Sequence, residues 1–354
     1  MNQNKKRITI NDIAQECGVS KTSVSFAFND PGRLSVQTRE NILKTAERLG
    51  YFPDPLARNL SLRKHNSIGF LLPQDIGSTL GNPYISLVIQ GIATVCQQKG
   101  HTLTIIPPFH SSALDAVKLA AVDGLIALGM DVDPGVTDFL NKRKVPFVTI
   151  DGKAAPNLPS VNIDDRLAAF QIMKEVLDKG HRRLAIVSLT EDLFTAADAE
   201  NPLTAPYLRR QGYEEALKQY GLDLATPDVS VLVCECTFQD GRDLVSKLLG
   251  LRQKITAVIA MSDIVALGIL YGLKEQGIQV PSQLSVVGFD DIPEAALSYP
   301  KLTTVSQPGI EKGKLAAMML FDYLEGKSSE IKQAYIPFEL AMRESLGPVA
   351  IQSR

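Results

Sequence analysis

Between Ile10 and Asn29, apolar residues recur at intervals of three and four. Ile10, Ile13, Ala14 and Cys17 form one stripe, and Val24, Ala27 and Phe28 form another. The spacing predicts two short helices, with Gly18 as a left-handed stop between them and Val19 packed in the corner. Thr9 and Asp12 fit a capping box on the first helix, and Ser20 caps the second. Lys21, Thr22, Ser25, Phe26 and Asn29 are left together on the outward face of that second helix. A third helix is predicted from Ser35, with Ile42, Leu43, Ala46 and Leu49 inward and Gly50 as its stop. Taken alone, the first pair fits either a helix-turn-helix or an ordinary helical hairpin.

Tyr51-Phe52-Pro53 breaks this periodicity, and Pro55 to Leu60 reads as a helix too short to hold by itself in water. A basic linker, Ser61 to Asn66, follows. Beyond it the pattern changes to apolar runs that alternate with amphipathic stretches. Strands are expected at 67–73, 102–107, 123–129, 145–151, 183–189, 229–235, 256–261 and 284–290. Helices are expected near 84–99, 133–143, 165–179, 207–220, 239–249, 263–276 and 309–325. Alternating strand and helix, with strands apolar throughout, means parallel sheets covered on both faces. The register restarts after Ser160-Val161-Asn162, so two similar α/β subdomains with a cleft between them are predicted.

The net charge of −2 over 354 residues hides an asymmetry. Residues 1–65 hold eleven Lys and Arg against six Asp and Glu, a balance of +5, which leaves −7 for the remainder. A small basic module on an acidic body suits DNA binding at one end only. Cys17, Cys96, Cys234 and Cys236 lack metal-ligand spacing and read as buried free thiols, as a reducing cytoplasm allows. No leader peptide and no membrane-length apolar run is visible, so a cytoplasmic location is expected, with no metal and no cofactor.

The run from Ile8 to Pro73 resembles the lactose-repressor/galactose-repressor family of bacterial transcription factors. The matching pieces are ITINDIAQECGVS, Ser25 and Asn29 on the second helix, TRENILKTAERLGY and the hinge PDPLARNLS. The likeness continues through DGLIAL, VPFVTID, DKGHRRLAIV, MSDIVALGIL, QVPSQLSVVGFDD and KLTTVSQP, covering nearly the whole chain. It implies an all-α helix-turn-helix head (1–52), a hinge helix and linker (53–65), and a body of two periplasmic-binding-protein-like, doubly wound subdomains (66–354). Within the body, 66–161 and 292–325 are expected in the first subdomain, and 162–291 and 326–345 in the second. Three chain segments are expected to cross between them. The resemblance also implies a homodimer on a pseudo-palindromic double-stranded operator, regulated by a small, sugar-like effector, with no membrane partner.

Carried over residue by residue, base reading falls to Lys21, Thr22 and Phe26, and phosphate contacts to Ser20, Ser23, Ser25 and Asn29. Phe26 stands where the family commonly has Arg. It either meets a thymine methyl or folds back onto the head. Ala57 and Leu60 fall on the minor-groove hinge, with Leu60 as an apolar wedge. Effector contacts fall on Tyr84, Asp164, Arg209, Ser262, Asp290 and Gln307, Ser262 standing where Asn is usual. The segments at 77–80, 107–121 and 191–206 depart from the family pattern at strand ends, where such sheets bind ligands, so effector identity does not carry over. Enzyme motifs are poor: GIEKGK (309–314) is one residue short of a phosphate loop, and His181 in KGHRR reads as a solvated turn residue. A solute-binding protein without a DNA role is the alternative.

Overall fold

The computed structural model describes residues 8–52, 64–74, 76–110, 112–129, 134–152, 158–189, 204–251, 254–328 and 330–349. The chain divides into two compact units, Met1–Asn66 and Ser67–Arg354. The hinge positions Ala57 and Leu60, and most of the 191–206 loop, lie outside the described residues.

Among its described residues the first unit has three α-helices, α1 (Ile10–Cys17), α2 (Lys21–Asn29) and α3 (Val36–Leu49), with a 3-10 turn at Pro31–Arg33. Asp12 accepts from both the backbone N–H and the hydroxyl of Thr9 at 2.7 Å, which fixes the start of α1. Gly18 (φ 66°) and Gly50 (φ 68°) end α1 and α3 in the left-handed region that the sequence required. Ile13, Ala14, Val24, Ala27, Ile42 and Ala46 close the core, as their spacing predicted, and Phe28 packs on Tyr51 at 5.8 Å between ring centroids.

The second unit holds two parallel sheets. The first, in spatial order, is β11–β5–β4–β3–β1–β2, built from Gln333–Tyr335, Ser160–Asn162, Phe147–Ile150, Gly124–Leu128, Ser67–Leu71 and Thr102–Ile106. The other is β7–β6–β8–β9, from Val229–Val233, Leu184–Ser188, Ala257–Ala260 and Ser285–Val287. Strands β1, β3, β6 and β8 are buried at every position, because helices cover both faces of the sheets. An antiparallel pair, β10 (Thr304–Ser306) with β12 (Glu339–Ala341), flanks the second sheet through bridges from Val287 to Thr303 and from Asp290 to Ser306.

These pairings move two expected boundaries. Thr303 and Ser306 bridge to the second sheet, whereas 292–325 was expected in the first subdomain. Conversely, Gln333–Tyr335 pairs with β5 in the first sheet, whereas 326–345 was expected in the second. The reason is that β10 and β11 are three-residue strands, too short for an alternation signal. The chain therefore passes between halves after β5, at Gln307, and between β11 and β12. Three short helices, at Ile76–Leu80, Ala113–Leu119 and Pro293–Leu297, were also not foreseen.

Close helix crossings hold the layers. The pair formed by Pro83–Gln98 (α5) and Gly309–Leu324 (α14) meets at reciprocal glycines. A Cβ at Gly91 would lie 2.1 Å from the Ile310 carbonyl oxygen, and one at Gly313 would lie 2.2 Å from that of Val88. Backbone blocks both, so Gly91→Ala must push the helices apart. It is expected to lower stability by about 1–3 kcal/mol, read as an earlier denaturant midpoint at unchanged slope. His181 corrects another expectation. It is 1% exposed, with Nε2 bonded to the Gly347 carbonyl at 2.9 Å and Nδ1 beside the Thr256 hydroxyl at 3.0 Å, because the C-terminal segment covers it.

Candidate functional site

Two surfaces carry the predicted residues, one in each unit. On the head, Ser20 caps α2 by accepting from the Ser23 N–H at 3.0 Å, with the two hydroxyls 2.9 Å apart. Lys21 and Thr22 are exposed in the first turn. One turn on, Asn29 Nδ2 donates to Ser25 Oγ at 3.3 Å. Phe26 is half-buried, and the Arg33 guanidinium stands 5.0 Å from its ring centroid while pairing with Asp30 at 2.8 Å. The ring therefore carries a cation on one face.

In the second unit, the carboxyl ends of both sheets line one cavity of about 160 Å³. Leu128 ends β3, and Gly129 and Asp151 follow β3 and β4, on one side; Met261, Ser262 and Asp290 follow β8 and β9 on the other. Tyr84 enters from the first turn of α5, Arg209 from α9 (Ala205–Gln219), Gln307 from the segment between β10 and α14, and Cys236 from the turn after β7. A hydrogen-bonded chain runs across its floor. Tyr84 donates to Asp151 Oδ2 at 2.5 Å, and Lys312 Nζ donates to Asp151 Oδ1, to Gln307 Oε1 at 2.6 Å and to the Tyr84 oxygen at 3.2 Å. Gln307 Nε2 donates to Asp290 Oδ1 at 2.5 Å, and the Ser262 hydroxyl to Asp290 Oδ2 at 2.9 Å. Arg209 is held separately: Nε donates to Asp165 Oδ1 at 2.8 Å, Nη1 to the Met261 carbonyl at 2.8 Å, and its face lies 3.6 Å from the Phe289 ring centroid.

Burial dominates the electrostatics. It pushes the Asp290 carboxyl up to about 6, with Arg209, Ser262 and Gln307 pulling the other way. Burial, and then the Asp290 charge, hold Asp263 well above the carboxylate range, although Thr304 (2.6 Å) and the Ile292 N–H (3.0 Å) donate to it. Desolvation raises Tyr84 as well, with Asp151 next, and raises the Cys236 thiol to about 11. Desolvation opposes the charge of Arg209, but Asp165 and Asp290 outweigh it and the guanidinium is held above its ordinary value. Asp290 (φ 139°) and Asp291 (φ 58°) both occupy backbone that favours glycine, a strain of about 1–3 kcal/mol each that the surrounding bonds maintain.

Five of the six expected effector positions thus converge: Tyr84, Arg209, Ser262, Asp290 and Gln307. Asp164 does not. It is exposed, caps α8 (Asp165–Asp178) by accepting from the Leu167 N–H at 2.9 Å, and borders a separate depression with Arg166 and Glu215. Its neighbour Asp165, the first helical residue, is turned inward and makes the Arg209 pair. Asp151 and Lys312 were missed. Asp151 carries a readable signal, an acid at the carboxyl end of an apolar strand. So does Lys312, which falls with Gly309, Gly313, Ala316 and Leu320 on the buried stripe of α14. Among the described residues, no cluster of His, Cys, Asp and Glu could hold a metal ion, and no helix is long and apolar enough to cross a membrane.

Comparison with known proteins accords with the folds of the head and the body. Residues 9–54 match the bacterial regulatory proteins of the lacI family, and residues 173–346 match the periplasmic binding protein-like domain. Over 344 residues the chain is 30% identical to the HTH-type transcriptional repressor CytR of Escherichia coli (strain K12), spanning 95% of this chain and 96% of that one. The complex of the transcriptional regulator CelR with cellobiose is similar at a TM-score of 0.69 and 25% identity, covering 96% of this chain and 100% of that one. The lac repressor dimer bound to operator and the anti-inducer ONPF shares the fold at a TM-score of 0.77 and 21% identity, covering 97% and 100%. With a helix-turn-helix head, a two-sheet body and this full-length relative, the chain belongs to the lacI family of DNA-binding transcriptional regulators.

Proposed function

We propose that this regulator is a homodimeric repressor whose operator affinity is switched by an uncharged, sugar-like effector held in the cavity between the two sheets. The observation that carries the reading is the convergence of Tyr84, Arg209, Ser262, Asp290 and Gln307 on one polar cavity at the carboxyl ends of both sheets. A ligand rich in hydroxyls accepts from the guanidinium and donates to the carboxylate at once. Its leverage is bounded by its differential affinity for the two states of the body.

At the operator, Lys21 and Thr22 reach base edges, and Ser20, Ser23, Ser25 and Asn29 fix register on phosphates. Phe26, its ring beside the Arg33 guanidinium, reads by apolar contact with a thymine methyl. Ala57 and Leu60 enter the minor groove, Leu60 as the wedge between base steps. Leu297 and Tyr299, 83% and 87% exposed, offer an apolar face to the second copy. The lac repressor's dimeric state on its operator supports the pairing, as the cellobiose bound to CelR supports a sugar.

Electrophoretic shift on the native upstream region, with and without a sugar panel, tests the reading, and sedimentation gives the oligomeric state. A sugar-sensitive shift by a dimer is expected. Sugar binding without any DNA binding would favour the solute-binding alternative.

The Asp290 carboxyl adds a pH dependence. Held near 6, it is ionised at pH 7.5 and mostly protonated at pH 5. Effector affinity is therefore expected to fall about tenfold over that interval and to lose this dependence in Asp290→Asn. For stability the sign is opposite: the raised carboxyl contributes most below its unfolded value of 3.8, and that contribution is lost as pH rises through 6. Titration of ligand affinity and of the thermal midpoint in the same buffers separates the two.

A further inference from the structure

Lys312 is a cation with no exposure at all, and it lies behind the cavity wall, outside the lining. A buried ammonium survives only when paired and fully hydrogen-bonded. This one spends its three N–H groups on Asp151, Gln307 and Tyr84, and each of those side chains faces the cavity. Of the charged groups around it, Asp151 comes from the end of β4, Asp165 and Arg209 from α8 and α9, and Asp290 from the end of β9. On its own helix, Glu311 is exposed and Lys314 half-buried.

The pairing has a consequence for what the cavity accepts. Asp151 and Asp290 both line it, and the ammonium that cancels Asp151 has no donor turned toward a ligand. Arg209, the other cation, has its charge balanced by Asp165 and gives one further N–H to the Met261 carbonyl, so it offers a ligand hydrogen bonds without a surplus of positive charge. A phosphate placed there meets the Asp290 carboxylate, finds Asp151 already neutralised and gains no lysine contact, which is repulsion built against that ligand class. We propose that Lys312 is a positioning residue of the effector cavity, an internal counter-ion that cancels Asp151, fixes Tyr84 and Gln307, and so makes the cavity take uncharged sugars and reject their phosphate esters. The claim about ligands rests on the cavity being the effector site; the counter-ion assignment does not.

Two measurements on the full chain test it. The first is the thermal midpoint of wild type and Lys312→Met from pH 5 to 8. Lys312→Met leaves a carboxylate unpaired in a buried site, and burial without a counter-ion disfavours the charged form of any carboxyl, so the deficit of the variant should grow as pH rises, to roughly 5–15 °C at pH 8. Adding Asp151→Asn removes the carboxylate and should flatten that pH dependence. A deficit that is the same at every pH, or one that Asp151→Asn leaves sloping, overturns the assignment. If Lys312→Met does not fold at pH 8, the double variant decides: recovery of folding supports the counter-ion, and failure to recover overturns it. The second measurement is the midpoint shift produced by ribose, ribose 5-phosphate, glucose and glucose 6-phosphate on wild type. A parent sugar is expected to raise the midpoint where its phosphate does not. A phosphate that stabilises as well as its parent sugar overturns the selectivity. If none of the four shifts the midpoint while the pH series comes out as expected, Lys312 stands as the counter-ion and the sugar reading of the effector falls.

Discussion

A chain that begins at Ser67 is expected to fold cooperatively and to bind no operator. Its three apolar clusters are drawn wholly from residues beyond 66, and the cluster of the head is drawn wholly from residues 8–51, so neither core is opened by the cut. The cut removes the surplus of positive charge and the reading helix together. What remains carries a balance close to −7 and repels a polyanion. Specific affinity typically exceeds non-specific affinity by about 10³–10⁷, and here the non-specific part goes too, so no shift should appear at any protein concentration that saturates the full chain. Circular dichroism melting confirms the fold, and an electrophoretic shift reads the loss. Operator binding by the shortened chain would show that the body, rather than the head, holds the DNA.

The head was legible almost residue by residue, because each of its helices is bounded by local chemistry. Thr9 with Asp12, Gly18, Ser20, Ser35 and Gly50 all act within a few residues of themselves, and all stand where the spacing placed them. The long parallel strands were equally plain, since a strand buried on both faces is an unbroken apolar run. Pairing was harder to read. Strands β5, β10 and β11 have three residues each, and what fixes them is a partner far along the chain: Ser160–Asn162 beside Gln333–Tyr335, and Thr304–Ser306 beside Glu339–Ala341. No local pattern encodes a partner at that distance, and so the two subdomain boundaries moved.

The same limit divides the cavity residues. Arg209, Asp290 and Gln307 were found by resemblance, and convergence of strand ends explains why they meet. Asp164 and Asp165 differ by one position, and only the helix start decides which carboxyl turns inward: the capping residue faces solvent and the next one faces the core. Lys312 was passed over because the GIEKGK stretch was weighed only against a phosphate loop, and the inward face of the helix expected at 309–325 was not read for charge. Its place on the buried stripe already required a partner of opposite charge, and Asp151, closing an apolar strand, was the available one.

Arg209→Ala should produce the largest single-residue effect in the body. The substitution leaves the buried Asp165 carboxylate without its ion pair, leaves the Met261 carbonyl without a donor, and uncovers the face of Phe289. Breaking one side of a buried pair typically costs about 3–5 kcal/mol. The loss should depend on pH in a definite direction. Asp165 and Asp290 are both raised by burial and held down in part by Arg209, so removing Arg209 lifts both further. The deficit should then be greatest above neutrality and shrink toward pH 5, as both carboxyls take up protons. Adding Asp165→Asn to Arg209→Ala removes the stranded charge and should recover much of the stability without restoring the guanidinium that a ligand needs. Operator binding should therefore persist in the double variant, while the response to an effector falls by roughly two decades or more. Denaturant unfolding gives the first quantity, and operator titrations with and without the identified effector give the second. A double variant that regains effector response along with stability would make Arg209 a strut of the fold and take it out of the binding site.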